Sequence, residues 1–269
     1  ETDRNAAMKT ILDTIVEHKQ MEVLKRRQKK PLSALEDKPF YHREPLDAPA
    51  RLRTDAPAVI AEFKRKSPSR GMINSSVTPA PIVQAYAAGG ASAVSVLTDR
   101  DFFGGSFRDL ERAREVAGDL PLLRKDFMVD PYQVHEAKAY GADIILLIAS
   151  VLEAGRVEEL AGLAVELGMS VLFEVHGEEE LKKYTGSIGM VGVNNRDLSS
   201  FNVDVALSER LAARLPEGVV KVSESGLKDA ATIRKLHELG YQAFLVGETF
   251  MKEEEPGRAV EQLCAQLKS

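Results

Sequence analysis

Cysteine occurs once in the 269 residues, as Cys264, so no disulfide can form within the chain. A scaffold of internal bridges is excluded, and a reducing compartment is expected, with the cytoplasm as the default. Long apolar runs are missing too. The longest, Ile144 to Leu152, is broken by Ser150 and falls far short of the roughly 20 residues that span a bilayer. No membrane-crossing helix is expected. Basic excess is also absent: 36 Lys and Arg face 41 Asp and Glu, a net charge of -5. That balance argues against nucleic acid or an anionic membrane as partner and favours a small molecule. His18, His42, His135, His176 and His237 show no metal-ligand spacing, so no metal is expected. The sequence opens on Glu1 rather than methionine, and a segment upstream of it is therefore expected.

Hydrophobic residues make up 44% and charged residues 29%, enough for a real core. From Asn5 to Lys30 the pattern is helical, with Ile11, Ile15, Val16, Val23 and Leu24 among charges, and Pro31 stops it. The run Lys25, Arg26, Arg27, Lys29, Lys30 could bind an anion, but it reads better as a solvated face at a favourable helix C-terminus. Beyond Ala56, short apolar runs predict strands ending near Phe63, Leu97, Arg124, Ile148, Glu174, Val193, Ser223 and Val246. Amphipathic patterns fill every gap, for example Pro79 to Ala88, Pro131 to Tyr140, Leu152 to Leu167, Asp229 to Leu239 and Pro256 to Leu267. Gly89, Gly90, Gly141, Gly168 and Gly240 follow helices, where left-handed caps are favoured.

Eight alternating units predict an α/β fold, a (β/α)8 TIM barrel, because a doubly wound sheet would usually carry GxGxxG after its first strand and none follows Phe63. The whole chain, 1–269, is expected to form one barrel domain, with 1–55 as a helical N-terminal extension.

Residues two apart on a strand face the same way, so Glu62 with Lys64, Leu123 with Lys125, Leu172 with Glu174, and Asn194 with Arg196 are expected to point inward. A lone charge inside a barrel is costly, so each must be paired, hydrated or bound to substrate. Ionisable residues at the C-terminal ends of barrel strands read as catalytic, although any one of them could be a structural ion pair. Glu224-Ser225-Gly226 after strand seven and Gly247-Glu248 after strand eight offer backbone amides where barrels often cradle phosphate; tight turning is the plainer alternative. Lys64-Arg65-Lys66-Ser67-Pro68-Ser69, dense in cations and hydroxyls, suits a doubly anionic ligand. His176 shares parity with Glu174 but reads first as an ordinary hydrogen-bonding loop residue. Gly104-Gly105-Ser106 reads first as a helix cap and second as an anion nest.

The string Ile60 to Ser69 resembles the signature of indole-3-glycerol phosphate synthase, a barrel family of tryptophan biosynthesis. Further matches run in order along nearly the whole chain: Leu122-Leu123-Arg124-Lys125-Asp126-Phe127, Phe173-Glu174-Val175-His176, Gly192 to Leu198, Ser223-Glu224-Ser225-Gly226, and Phe244-Leu245-Val246-Gly247-Glu248. The resemblance implies a cofactor-free enzyme that turns 1-(2-carboxyphenylamino)-1-deoxyribulose 5-phosphate into indole-3-glycerol phosphate, carbon dioxide and water. It also implies that the N-terminal segment partly covers the barrel mouth.

By the same resemblance, Lys125 is the general acid and Glu174 the general base. Lys64 holds substrate anions and assists dehydration, with Glu62 orienting it. Asn194 and Glu224 are supporting polar groups. Arg196 and Ser67 meet the carboxylate. Ser225, Gly226, Gly247 and Glu248 give backbone contacts to phosphate, Leu245 belongs to the same binding set, and Phe127 and Leu123 wall the ring. Glu248 stands where some relatives carry serine, so its side chain is expected to turn away from phosphate, and Arg70 is given no role. The alternatives are another phosphate-binding barrel, such as a phosphoribosyl anthranilate isomerase, and a silent metabolite binder. The chain is expected to act as a monomer or homodimer.

Overall fold

The computed structural model describes residues 9–269. The N-terminal helix, α1, spans Ile11–Lys29, and positions 5–8 of the expected helix lie outside the described residues. Thr10 and Asp13 close a reciprocal capping box at its start, which satisfies backbone donors that a helix end leaves free. Pro31 ends it as expected and opens the short helix α2, Leu32–Glu36; α3, Ala48–Thr54, follows.

Eight parallel strands then close on themselves: β1 (Ala58–Phe63), β2 (Ala93–Leu97), β3 (Leu122–Lys125), β4 (Ile144–Ile148), β5 (Ser170–Val175), β6 (Met190–Asn194), β7 (Val220–Glu224) and β8 (Ala243–Val246). Each pairs with its neighbours in chain order, and β8 returns to β1 through Ala58 opposite Ala243. The helices α4 (Pro79–Ala88), α5 (Phe107–Ala117), α6 (Pro131–Ala139), α7 (Ala154–Glu166), α8 (Ala206–Leu211), α9 (Ala230–Glu238), α10 (Glu248–Met251) and α11 (Pro256–Lys268) make the outer layer.

The alternation of side chains divides the core in two. Val59, Ala61 and Phe63 of β1 face the helices, whereas Ala58 and Ile60 join Leu123, Leu146, Leu172, Val222 and Leu245 inside the barrel. Leu52 of α3, completely buried, belongs to the same interior cluster as the first inward residues Ala58, Met190 and Val220, and so plugs the bottom of the barrel. Glu62, Lys125, Glu174 and Glu224 continue the inward parity one layer further and therefore emerge together at the top.

Two expectations need correction. The connection from β5 to β6 carries only a single 3-10 turn, Glu178–Lys183, because it has no buried residue with which to dock a helix face. Gly89 is right-handed at φ -73°, unlike Gly90, Gly141, Gly168 and Gly240. It is glycine for space: a Cβ there would lie 2.9 Å from the Gly257 carbonyl oxygen of α11. The Gly104-Gly105-Ser106 segment is a cap, as first read. Ser106 accepts from the Asp109 amide, and a Cβ on Gly105 would collide with the Leu97 carbonyl oxygen at 2.2 Å.

Candidate active site

A cavity opens at the C-terminal ends of the strands. Its polar wall comprises Glu62, Lys64, Ser67, Ser69, Lys125, Asp126, Glu174, Asn194, Arg196 and Ser225. Its apolar wall comprises Leu97, Phe103, Phe127, Leu146, Ile148, Leu198 and Phe201, with Ile11, Leu12 and Ile15 of α1 across the mouth. An apolar slot beside a cluster of charges suits a ligand with one ring and several anionic or polar groups.

Glu62 organises the cations. It is 2% exposed; Oε1 lies 3.0 Å from Lys64 Nζ, and Oε2 lies 3.2 Å from Lys125 Nζ and accepts from the Ser95 hydroxyl at 2.9 Å. Burial opposes the carboxylate, but Lys125 and Lys64 outweigh it and hold its pKa down to about 2. Burial likewise works against the Lys125 ammonium, yet Glu62, Glu224 and Glu174 together raise its pKa above the ordinary lysine value. Lys125 is therefore charged in the resting site and gives up its proton only to a strong base. Gly247 makes room for this arrangement, since a Cβ there would sit 2.8 Å from Glu62 Oε1.

The carboxyls of Glu174 and Glu224 lie on either side of β6. Glu174 pairs in register with Gly192, and Asn194 with Glu224. Both are 1% exposed. Asn194 donates to Glu174 Oε1 at 3.1 Å and accepts from the Ser225 hydroxyl at 2.8 Å. Burial opposes ionisation of Glu174, but His176 and Lys125 bring its pKa below the usual carboxylate value. Burial and the charge on Glu174 push the Glu224 pKa well up. One buried carboxyl is thus charged and the other holds a proton, as expected for two acids that cannot both ionise. The pair depends on Gly192, where a Cβ would lie 2.2 Å from Glu224 Oε1. Gly192→Ala is expected to displace Glu224 and lower kcat by up to about a hundredfold without loss of fold. Steady-state kinetics together with circular dichroism check this.

Directly after Glu224, Ser225 and Gly226 take left-handed φ values of 70° and 75°, and after β8 Gly247 caps α10 at Glu248. A Cβ on Gly226 would meet Val203 at 2.5 Å, so both conformation and space require glycine. Glu248 does more than turn aside: its carboxylate pairs with Arg70 Nε at 2.9 Å and Arg196 at 3.5 Å. Arg196 also donates to the Ser69 hydroxyl at 3.2 Å. The first loop is therefore tied to the last strand's turn, and Arg70, given no role from the sequence, makes the tie.

Of the expected binding residues, Phe127 lines the cavity with its ring centroid 6.0 Å from that of Phe103. Leu123 does not line it. Two residues before Lys125 on the same face, it points inward one layer lower and is fully buried, and Leu245 sits likewise in the barrel interior. Glu224, Gly226, Gly247 and Glu248 stand behind or beside the lining residues.

Sequence reasoning missed the device that holds α1 over the mouth. Lys19 is fully buried, with Nζ 2.8 Å from Asp99, 3.0 Å from Asp126 and 2.8 Å from Glu22. Asp126 follows Lys125 directly and also accepts from Thr98 at 2.6 Å and from Arg124 at 3.0 Å. Arg26, two turns further along, reaches Glu136 of α6 at 2.7 Å. A lysine in a helix rich in charges gives no sign of burial. Ile11 and Ile15, four apart, did mark the apolar face that meets the cavity.

A family model described as indole-3-glycerol phosphate synthase matches residues 12–263. Curated proteins of that name include one from Bacteroides thetaiotaomicron, 44% identical over 94% of this chain and 97% of its own length. Another, from Chromobacterium violaceum, is 46% identical over 95% of this chain and 98% of its own. Among solved structures, thiamine phosphate pyrophosphorylase from Pyrococcus furiosus aligns with a TM-score of 0.60 at 16% identity, covering 81% of this chain and 98% of that one. KGPDC from Streptococcus mutans aligns at 0.61 with 11% identity, covering 79% and 98%. At such identities the structural likeness speaks for the barrel alone. The sequence relatives, near half identity over almost their full length, decide the matter: the chain belongs to the indole-3-glycerol phosphate synthase family.

Proposed function

We propose that this member of the family closes the indole ring of indole-3-glycerol phosphate from 1-(2-carboxyphenylamino)-1-deoxyribulose 5-phosphate, with Lys125 as general acid and Glu174 as proton acceptor. The aromatic carbon bearing the carboxylate attacks the ketone, whose oxygen takes a proton from the Lys125 ammonium. Carbon dioxide then leaves, and its bonding electrons restore the aromatic ring. In the dehydration that follows, a second proton, from Lys64 or reprotonated Lys125, converts the hydroxyl to water. Glu174 removes a proton from the carbon beside the ring nitrogen. Two protons are taken up and one is released, which balances the loss of a carboxylate as neutral carbon dioxide.

Asn194 orients Glu174 and presents its amide to the sugar oxygens. Arg196 and Ser67 face the substrate carboxylate, while the amides of Ser225, Gly226, Gly247 and Glu248 receive the phosphate. Phe127 and Phe103 flank the ring. What carries this reading is one contact set: a single buried carboxylate, Glu62, holds both Lys64 and Lys125 at the mouth into which Glu174 also opens. A cytoplasmic setting accords with the one cysteine, Cys264, which is free and buried.

Purified protein incubated with the carboxyphenylamino substrate in the presence of a chelator is expected to release fluorescent indole-3-glycerol phosphate. Absence of product, or turnover of phosphoribosyl anthranilate instead, would count against the proposal.

A further inference from the structure

The two buried carboxyls at β6 differ in what surrounds them. Glu174 has Asn194 at 3.1 Å and His176 Nε2 at 3.5 Å from the same oxygen, Oε1. Both oxygens of Glu224 are buried without a hydrogen-bond partner among the described residues. His176 in turn has its other nitrogen, Nδ1, 3.8 Å from Glu180 Oε2, on the 3-10 turn that follows β5. Both ring nitrogens are buried and lack a hydrogen bond, so the ring is held between two carboxylates at charge-pair distance rather than used as a structural donor. Glu180 is itself fixed, because it accepts from the His176 backbone amide at 2.7 Å. The result is a row, Glu224, Glu174, His176, Glu180, running from the barrel interior to a partly exposed carboxylate.

We infer that His176, kept as an imidazolium by Glu180, is a positioning residue that places the single negative charge of the Glu174–Glu224 pair on Glu174. The inference rests on Glu174 being the proton acceptor proposed above. A cation beside one member of a coupled acid pair stabilises the charged form of that member and leaves its partner to hold the proton. Burial disfavours the imidazolium, but Glu180, Glu174 and Asp197 more than compensate and raise the His176 pKa. These three carboxylates face His176 from the 3-10 turn, from β5 and from the loop after β6. Lys125 adds its charge to both members of the acid pair and so does not choose between them.

The acid limb of the kcat profile reports ionisation of Glu174 in the complex. Because the imidazolium lowers the Glu174 pKa, its removal raises the pH at which Glu174 becomes charged. In His176→Gln the limb is expected to move up by about one pH unit or more, with activity recovering toward higher pH and KM within about twofold. Glu180→Gln retains an acceptor for the His176 amide but loses the charge, and it is expected to move the limb in the same direction by a smaller amount. A merely structural role would lower kcat equally at every pH and leave the limb in place. Wild-type limbs in both variants would overturn the inference, and a wild-type limb in Glu180→Gln alone would do so if His176→Gln fails to fold. Glu174→Gln separates the two levels: normal turnover in that variant removes the proton acceptor itself. An inactive Glu174→Gln with an unshifted His176→Gln removes only the role of His176.

Discussion

Lys125→Ala is expected to lower kcat at least about a hundredfold, while the affinity for a non-reacting substrate analogue stays nearly intact. The reason lies in what the ammonium faces. Lys125 Nζ lies 3.2 Å from Glu62, and Lys64 lies 3.0 Å from the other oxygen of the same carboxylate. Removing Lys125 leaves Glu62 still paired, so the barrel does not acquire an uncompensated buried charge and is expected to fold. Anion binding is also retained, because Lys64, Arg196 and the loop amides are untouched. What is lost is a proton donor aimed into the cavity, and positioned proton transfer is typically worth about 10² to 10⁴ in rate. Single-turnover kinetics with separate measurement of analogue binding provide the check. Unchanged turnover would take Lys125 out of the mechanism, and equal losses in affinity and rate would recast it as a binding residue.

Lys19→Ala is expected to be the most damaging single change to stability. The side chain is fully buried between Asp99 and Asp126, and its removal leaves both buried carboxylates without that cation, Asp126 keeping only Arg124. Breaking a buried pair by deleting one partner costs about 3–5 kcal/mol. In a protein of this size that is a fall in Tm of roughly 6–20 °C. Function should suffer as well. Ile11, Leu12 and Ile15 on the same helix line the cavity, so a loosened α1 opens the mouth and raises KM more than it lowers kcat. Asp126 is also the residue next to Lys125, which ties the helix to the strand that carries the acid. Thermal unfolding and steady-state kinetics on the same preparation test both effects. A Tm within about one degree of wild type, with KM unchanged, would show that α1 is held by its apolar face alone.

The architecture was legible because strand periodicity and glycine punctuation are local signals. The eight strand ends read from the apolar runs fall within one residue of those in the structure. Inward parity was legible for the same reason: Glu62, Lys125 and Glu174 share faces with Ile60, Leu123 and Leu172, and all three reach one cavity. Parity also placed Leu123 inward correctly; the ring-wall role came from the family resemblance, and Leu123 sits one layer below the cavity because parity states a direction and not a depth. Pairings across the chain were not legible. Nothing near Lys19 in the sequence distinguishes it from Lys25 or Lys29, and its burial depends on Asp99 and Asp126, about eighty and a hundred residues away. Arg70 and Glu248 meet only because β8 closes on β1. His176 was seen as sharing a face with Glu174, but its place between two carboxylates needs the 3-10 turn that the pattern had read as an ordinary helix.

A crystal structure with indole-3-glycerol phosphate bound tests most directly whether acids, base and anion sites converge on one molecule. The phosphate is expected on the amides of Ser225, Gly226, Gly247 and Glu248, with the indole between Phe103 and Phe127 and the ring carbons within reach of Lys125 and Glu174. Product lying with its indole away from these two side chains, or its phosphate away from the turns after β7 and β8, would contradict the account.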